Sequence, residues 1–315
     1  MPEPSENIDN EQRSDLRLNR DIEGFLLTSE MLEIEFNFAL AELNKYLQDV
    51  LMLSAGFKFK DLGIAERRRD ALPKLIIPTS DSTYKFADRW DIQSLEETPP
   101  GSIALLKLSG VMRAQSGLSS PGADRMAFDL RNAYHNENVK GVIIETISGG
   151  GESMAGTIVK SAIGERNKPV VGFGHLGASA AYRALSGADE IIASSDQAEF
   201  GSIGTMITLD NKILNKYRER FTDIYGADVP KKNAEFRAAL AGDFSGLQNR
   251  VDVLTRQFHD EIKNSRPLRG DAAFIKETLS GAVFNAKESK RRGLIDATGN
   301  LQFAVRRVNS LLKNY

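Results

Sequence analysis

Few side chains in this 315-residue sequence can do covalent chemistry. There is no cysteine, which removes disulfides, thiolate metal sites and cysteine nucleophiles. The three histidines, His135, His175 and His259, lie far apart and show no HExxH-type spacing, so a histidine-rich metal site is not expected and a base other than histidine is. The best-placed nucleophile is Ser179. It follows the apolar, glycine-rich run VVGFGHLGA and opens a helical stretch, so Gly177-x-Ser179-x-Ala181 approximates a G-x-S-x-G nucleophile elbow with alanine in the last place. Small neighbours (Gly177, Ala178, Ala180, Ala181) let a substrate backbone approach the hydroxyl. The helix start offers N–H groups to an oxyanion. The same residues also fit a serine that caps a core helix.

Two further glycine clusters follow apolar strands. Ser148-Gly149-Gly150-Gly151-Glu152 lacks the lysine and hydroxyl residue of a phosphate-binding P-loop. Such a turn can present backbone N–H groups to an oxyanion and give an extended substrate an edge. The third cluster is Gly201-Ser202-Ile203-Gly204. A competing reading takes Gly172-x-Gly174-x-x-Gly177 as a dinucleotide-binding turn, with Asp196 on the ribose of NAD or NADP. Glycines are also frequent at strand-to-helix turns for steric reasons alone.

The elements that must position these residues alternate. Apolar strands are expected at 103–108, 139–146, 169–173 and 190–194, and helices at 123–134, 154–163 and 178–186. Continuous apolar strands alternating with helices imply an α/β fold whose parallel strands are covered on both faces. Leu247, Val251, Leu254, Phe258 and Ile262 mark a further amphipathic helix.

Ahead of this pattern, residues 1–20 are polar and aperiodic and read as a disordered tail. Residues 29–53 carry helical spacing (Leu32, Phe36, Ala39, Leu43, Tyr46, Leu47, Val50), either as an extra layer on the domain or as an oligomer or partner contact. Pro99-Pro100-Gly101 reads as a boundary, giving a helical region over 21–100 and one domain over 101–315. The 41 basic and 43 acidic residues argue against a nucleic-acid binder. No apolar run is long enough for a spanning helix, which points to no membrane and a cytoplasmic location.

In order, the motifs resemble those of the serine-lysine peptidases of the signal peptide peptidase A type, within the Clp protease and crotonase superfamily. Ser148–Gly151 resembles that family's S-P-G-G turn with glycine for proline, and Ala178–Tyr182 resembles its A-S-G-G-Y nucleophile segment with alanines for glycines. Ala188–Ala193, Gly201–Gly204, Gly281–Phe284 and Gly293–Asp296 resemble the pieces that follow. The resemblance implies a Clp/crotonase-like fold, no cofactor and Ser179 as nucleophile. It implies a general-base lysine, which is Lys232 counting without gaps from Gly201–Gly204 and Lys231 counting from Tyr225-Gly226. A lysine base must be neutral, through desolvation or nearby positive charge. Ser202 would orient the lysine. Gly151 and Ala180 would donate to the oxyanion, and Ser148, Gly149 and Gly150 would bind substrate. His175 is expected to shape the turn before the nucleophile rather than to act as base.

A soluble helix in place of a membrane anchor resembles the phage prohead, or capsid maturation, branch. That implies scaffold or capsid-protein segments as substrates, action in the host cytoplasm or an assembling procapsid, and a homo-oligomer. The alternatives are a cytoplasmic bacterial peptidase of the same type, an NAD(P)-binding oxidoreductase and a catalytically silent assembly or scaffold protein.

Overall fold

The computed structural model describes residues 32–34 (backbone only), 73–79, 83–87, 98–116 and 121–315. Its centre is a run of parallel strands: β4 (Ser102–Ser109), β5 (Val139–Ser148), β7 (Val170–Ala178) and β8 (Glu190–Ala193). They are almost wholly buried, as their unbroken Val, Ile, Leu and Ala runs require. Helices α1 (Ala123–His135), α2 (Ser153–Gly164) and α3 (Ala180–Leu185) cover one face. Helix α9 (Leu301–Leu311) covers the other, with Ala304, Val305 and Val308 on Ile143, Val171 and Ile192. The expected α/β layering is therefore present.

The nine-stranded sheet extends further than the sequence pattern implied. Strands β2 (Lys74–Pro78) and β3 (Tyr84–Ala87) add antiparallel to its β4 side. They fall in the region expected to be helical, and they cross the boundary placed at Pro99-Pro100. Leu75 and Ile76 bury into the two cores from opposite faces of β2, the period of two of a strand. Within the stretch expected as a helix over 29–53, Leu32–Ile34 is a strand, β1, antiparallel to β6 (Gly150–Glu152). The rest of that stretch, and the tail over 1–20, lie outside the described residues.

Strand β7 also runs past its predicted end, through all three glycines, to Ala178. Its first half pairs with β8 and its second half with β9 (Glu199–Gly201). His175 marks the changeover. It is the extra residue of a bulge, because Thr146 pairs with Gly174 while Ile147 pairs with Leu176. Beyond β9 the chain forms α4 (Asn211–Arg220), α5 (Ala234–Leu240) and α6 (Ser245–Ser265), then α7 (Ala272–Thr278), β10 (Val283–Asn285), α8 (Ala286–Arg292) and β11 (Ala297–Thr298). Among the described residues, no helix is long and apolar enough to cross a membrane.

Packing of α2 on α3 fixes the start of the nucleophile helix. A Cβ built on Gly156 would lie 2.7 Å from the Ala180 carbonyl oxygen. Gly156→Val should therefore push the two helices apart and cost about 2 kcal/mol by overpacking, read as a lower urea midpoint with an unchanged m-value.

Candidate active site

Ser179 sits between β7 and α3 with no loop residue on either side. To make that turn it takes φ 55° and ψ −122°. This backbone conformation is open to glycine and strained for serine. Its N–H donates to the Gly201 carbonyl at 2.8 Å, extending the β7–β9 pairing by one residue. Ser202 is likewise at positive φ (50°), with its N–H on the Ala282 carbonyl at 2.7 Å. Two of the three non-glycine residues at positive φ among those described thus flank one cavity. It measures about 390 Å³ and is lined by Ser179 and Ser202–Met206, by Thr255 and His259 of α6, and by Leu279–Gly281. Ser179 itself is only 1% exposed.

The glycine turn expected to hold substrate is built as a short strand beside this helix. The Ser148 hydroxyl donates to the Gly110 carbonyl (2.7 Å) and accepts from the Gly150 N–H (3.2 Å), so its role is to shape the turn. Gly149 links β5 to β6. Met112 pairs with one edge of β6: its N–H donates to Gly150 O (2.8 Å), and its carbonyl accepts from the Glu152 N–H (2.9 Å). A Cβ on Gly151 would collide with the Met112 backbone, so glycine is required there. Ala180 is the first residue of α3, and its N–H has no intrahelical acceptor.

Lys231 and Lys232 are not brought to Ser179. Both are exposed, on the turn between Pro230 and Asn233 that leads into α5. Neither lines the Ser179 cavity; Lys231 borders a separate groove between α2, α5 and α6. The stretch before them is irregular rather than a strand.

The dinucleotide reading loses its geometry. Gly172, Gly174 and Gly177 lie inside β7, not in a turn around a phosphate. A Cβ at Gly174 would come within 2.8 Å of the Thr146 carbonyl, and one at Gly177 within 3.0 Å of Leu185 and Phe200. These glycines serve close packing. Asp196 is exposed in the turn after β8. His175 lies in the strand rather than in a turn, exposed, with the Ser194 and Ser195 hydroxyls at 3.4 Å.

His259 is the residue the sequence did not single out. Only the helical offset of Thr255 and His259, beside the apolar pair Phe258 and Ile262, could have signalled it. Its Nε2 is buried without a hydrogen-bond partner. Behind the cavity, Arg183 of α3 lies 4.1 Å over the Phe258 ring, 3.3 Å from Glu261 and 2.7 Å from the Ser153 hydroxyl, tying α3 to α6 and α2. No group of three or more metal-ligating side chains occurs among the described residues.

Comparison with known proteins bears on this site. Residues 162–314 match peptidase family S49. The matched segment contains Ser179, Ser202, both candidate lysines and His259. Protease 4 of Haemophilus influenzae is 26% identical over 220 residues, covering 68% of this chain and 35% of that protein. The chloroplastic serine protease SPPA of Arabidopsis thaliana is 28% identical over 222 residues, covering 64% and 31%. The chain thus spans about a third of the length of these relatives. Among solved structures, a membrane-bound stomatin-specific protease with a substrate peptide aligns with TM-score 0.43 and 14% identity, over 66% of this chain and 80% of that one. A ClpP1 mutant from Listeria monocytogenes aligns with TM-score 0.41 and 12% identity, over 64% and 94%.

Two outcomes follow for this segment. Ser179→Gly should raise stability by about 1 kcal/mol, since glycine adopts this backbone without strain, whereas Ser179→Ala should not; urea melts of both variants check it. Burial holds His259 below its ordinary value of 6.5, against the opposing pull of the Ile203 and Leu279 backbone. The unfolded chain therefore takes up this proton first on acidification. Stability should be full above that value and fall below it, and His259→Gln should flatten the fall in urea midpoints between about pH 7.5 and 5.5.

Proposed function

We propose that the chain is a serine endopeptidase that cleaves extended protein segments. The observation that carries this is Ser179: a hydroxyl on a strained strand-to-helix turn, at the wall of a cavity, beside a glycine strand with a pairing edge. Such strain persists only where the surrounding structure enforces it, and it gathers at reactive positions. The S49 match and the curated protease relatives agree with it.

In this reading the substrate lies extended along β6 with its scissile carbonyl at Ser179. A neutral lysine, Lys232 or Lys231, takes the Oγ proton as Oγ attacks the carbonyl carbon. The N–H groups of Gly151 and Ala180 stabilise the oxyanion. The lysine returns the proton to the leaving amine, water attacks the acyl-serine, and the acid product departs. Ser202 orients the lysine. Because both lysines stand on an exposed turn outside the cavity, the base is supplied across a contact between copies in a homo-oligomer. His259 is the second reading for the base, favoured by its place in the cavity and its unpartnered Nε2. The narrower role, maturation of a phage capsid by cleaving scaffold or capsid segments, rests on the sequence resemblance alone.

Wild-type protein should cleave fluorescein-labelled casein, and Ser179→Ala should lose about 1,000-fold or more of that rate while keeping its urea midpoint. Lys232→Ala or Lys231→Ala should be inactive alone. Mixing it with Ser179→Ala should restore cleavage, because contacts in which the Ser179→Ala copy supplies the lysine then pair it with an intact serine. Activity that survives in both lysine variants and disappears in His259→Gln would move the base to His259. Co-expression with the products of neighbouring genes, wild type against Ser179→Ala, with fragments read by mass spectrometry, tests the capsid role; an absence of capsid or scaffold fragments removes it.

A further inference from the structure

Strand β6 has two hydrogen-bonding edges, and in this structure both are taken. Met112 holds the first through Gly150 O and the Glu152 N–H. Backbone groups alternate along a strand, so the N–H and C=O of Gly151 face the second edge. That edge carries β1: Leu32 stands opposite Glu152, Glu33 opposite Gly151 and Ile34 opposite Gly150, antiparallel. Glu33 and Gly151 are thus the pair that exchanges backbone hydrogen bonds, and the Glu33 carbonyl faces the Gly151 N–H.

We propose that Leu32–Ile34 is a built-in substrate mimic, holding the peptide edge of β6 closed until a protein substrate displaces it. The inference rests on the peptidase reading, in which Gly151 donates to the oxyanion and β6 pairs with the substrate. Three features of the pairing carry it. The segment is extended, as a peptide added to a sheet edge must be. Among the described residues it pairs with β6 and with no other strand. Its central carbonyl faces Gly151, the residue that would meet a scissile carbonyl. A tethered segment competes at high effective concentration, so it raises the apparent KM of an incoming substrate without changing the rate once that substrate is bound.

The test is made in the full chain. Glu33→Pro removes the N–H that faces Gly151, and Ile34→Pro removes one that points away and serves as the control. Hydrogen exchange by mass spectrometry over residues 147–153 reads the pairing without activity. Casein cleavage reads the competition. Glu33→Pro should speed exchange at this edge about tenfold and lower KM by a similar factor with kcat unchanged, while Ile34→Pro stays within about twofold of wild type on both. Exchange that ignores Glu33→Pro overturns the proposal, as does faster exchange with an unchanged KM. Cleavage that depends on Ser179 but not on position 33 overturns the mimic alone. Absence of cleavage from every form overturns the peptidase reading and the mimic with it.

Discussion

The divided edge of β7 is the constraint on which the rest depends. One edge of β7 pairs with β8 along its first half and with β9 along its second, and the bulge against β5 at His175 falls at the changeover. The strand then continues on β9 up to Ser179, whose N–H still reaches Gly201. Because the chain enters α3 at the next residue, Ser179 has to absorb the whole reversal in its own φ and ψ. The strain at the candidate nucleophile is thus the local consequence of a sheet that changes partners mid-strand. Gly201 passes the same geometry to Ser202, which brings two hydroxyl residues to one cavity from different strands.

Charged side chains at the far ends of these strands hold the arrangement in register. Asp189 accepts from the Val170 N–H and pairs with Arg166, fixing where β7 begins. Asp296 accepts from the Ile191 N–H and pairs with Arg266, fixing β8. The Tyr182 hydroxyl donates to the Leu294 carbonyl, anchoring the nucleophile helix to the same closing segment. Both carboxylates and the Tyr182 hydroxyl have partners in place, the condition under which buried polar groups hold a structure together rather than weaken it. The motif pieces Ala188–Ala193 and Gly293–Asp296 therefore act as mechanical supports of the site.

Much of this could be read from the sequence where the signal was local. The apolar runs of β4, β5, β7 and β8 and the small residues around Ser179 each have a short-range physical cause, and the structure places them in the expected layers. What escaped depended on partners distant in sequence. Strands β2 and β3 are short and flanked by charge, and only the pairing of β2 with β4 and of β3 with β2 makes them strands. Leu32–Ile34 lies within a helical periodicity that pairing with β6 overrides. The three glycines of β7 fit a phosphate turn by spacing, but their neighbours Thr146, Leu185 and Phe200 come from elements no window spans. His259 reaches the cavity on a helix that begins well after Ser202. The sequence motifs singled out two lysines, and the fold sets both on an exposed turn away from the Ser179 cavity.

The cavity beside Ser179 has two walls of different character. On one side stand Ser179 and Ser202, where positive φ angles and the tight packing of Phe200 on Gly177 leave little room for new side chains. On the other side stand Met206, Thr255 and Leu279, side chains of a loop and two helix segments whose backbones are ordinary. Divergence in what the pocket accepts is therefore channelled to the second wall. Descendants of this chain could acquire new preferences there by single substitutions, while the first wall, and with it the placement of the hydroxyl, stays as it is.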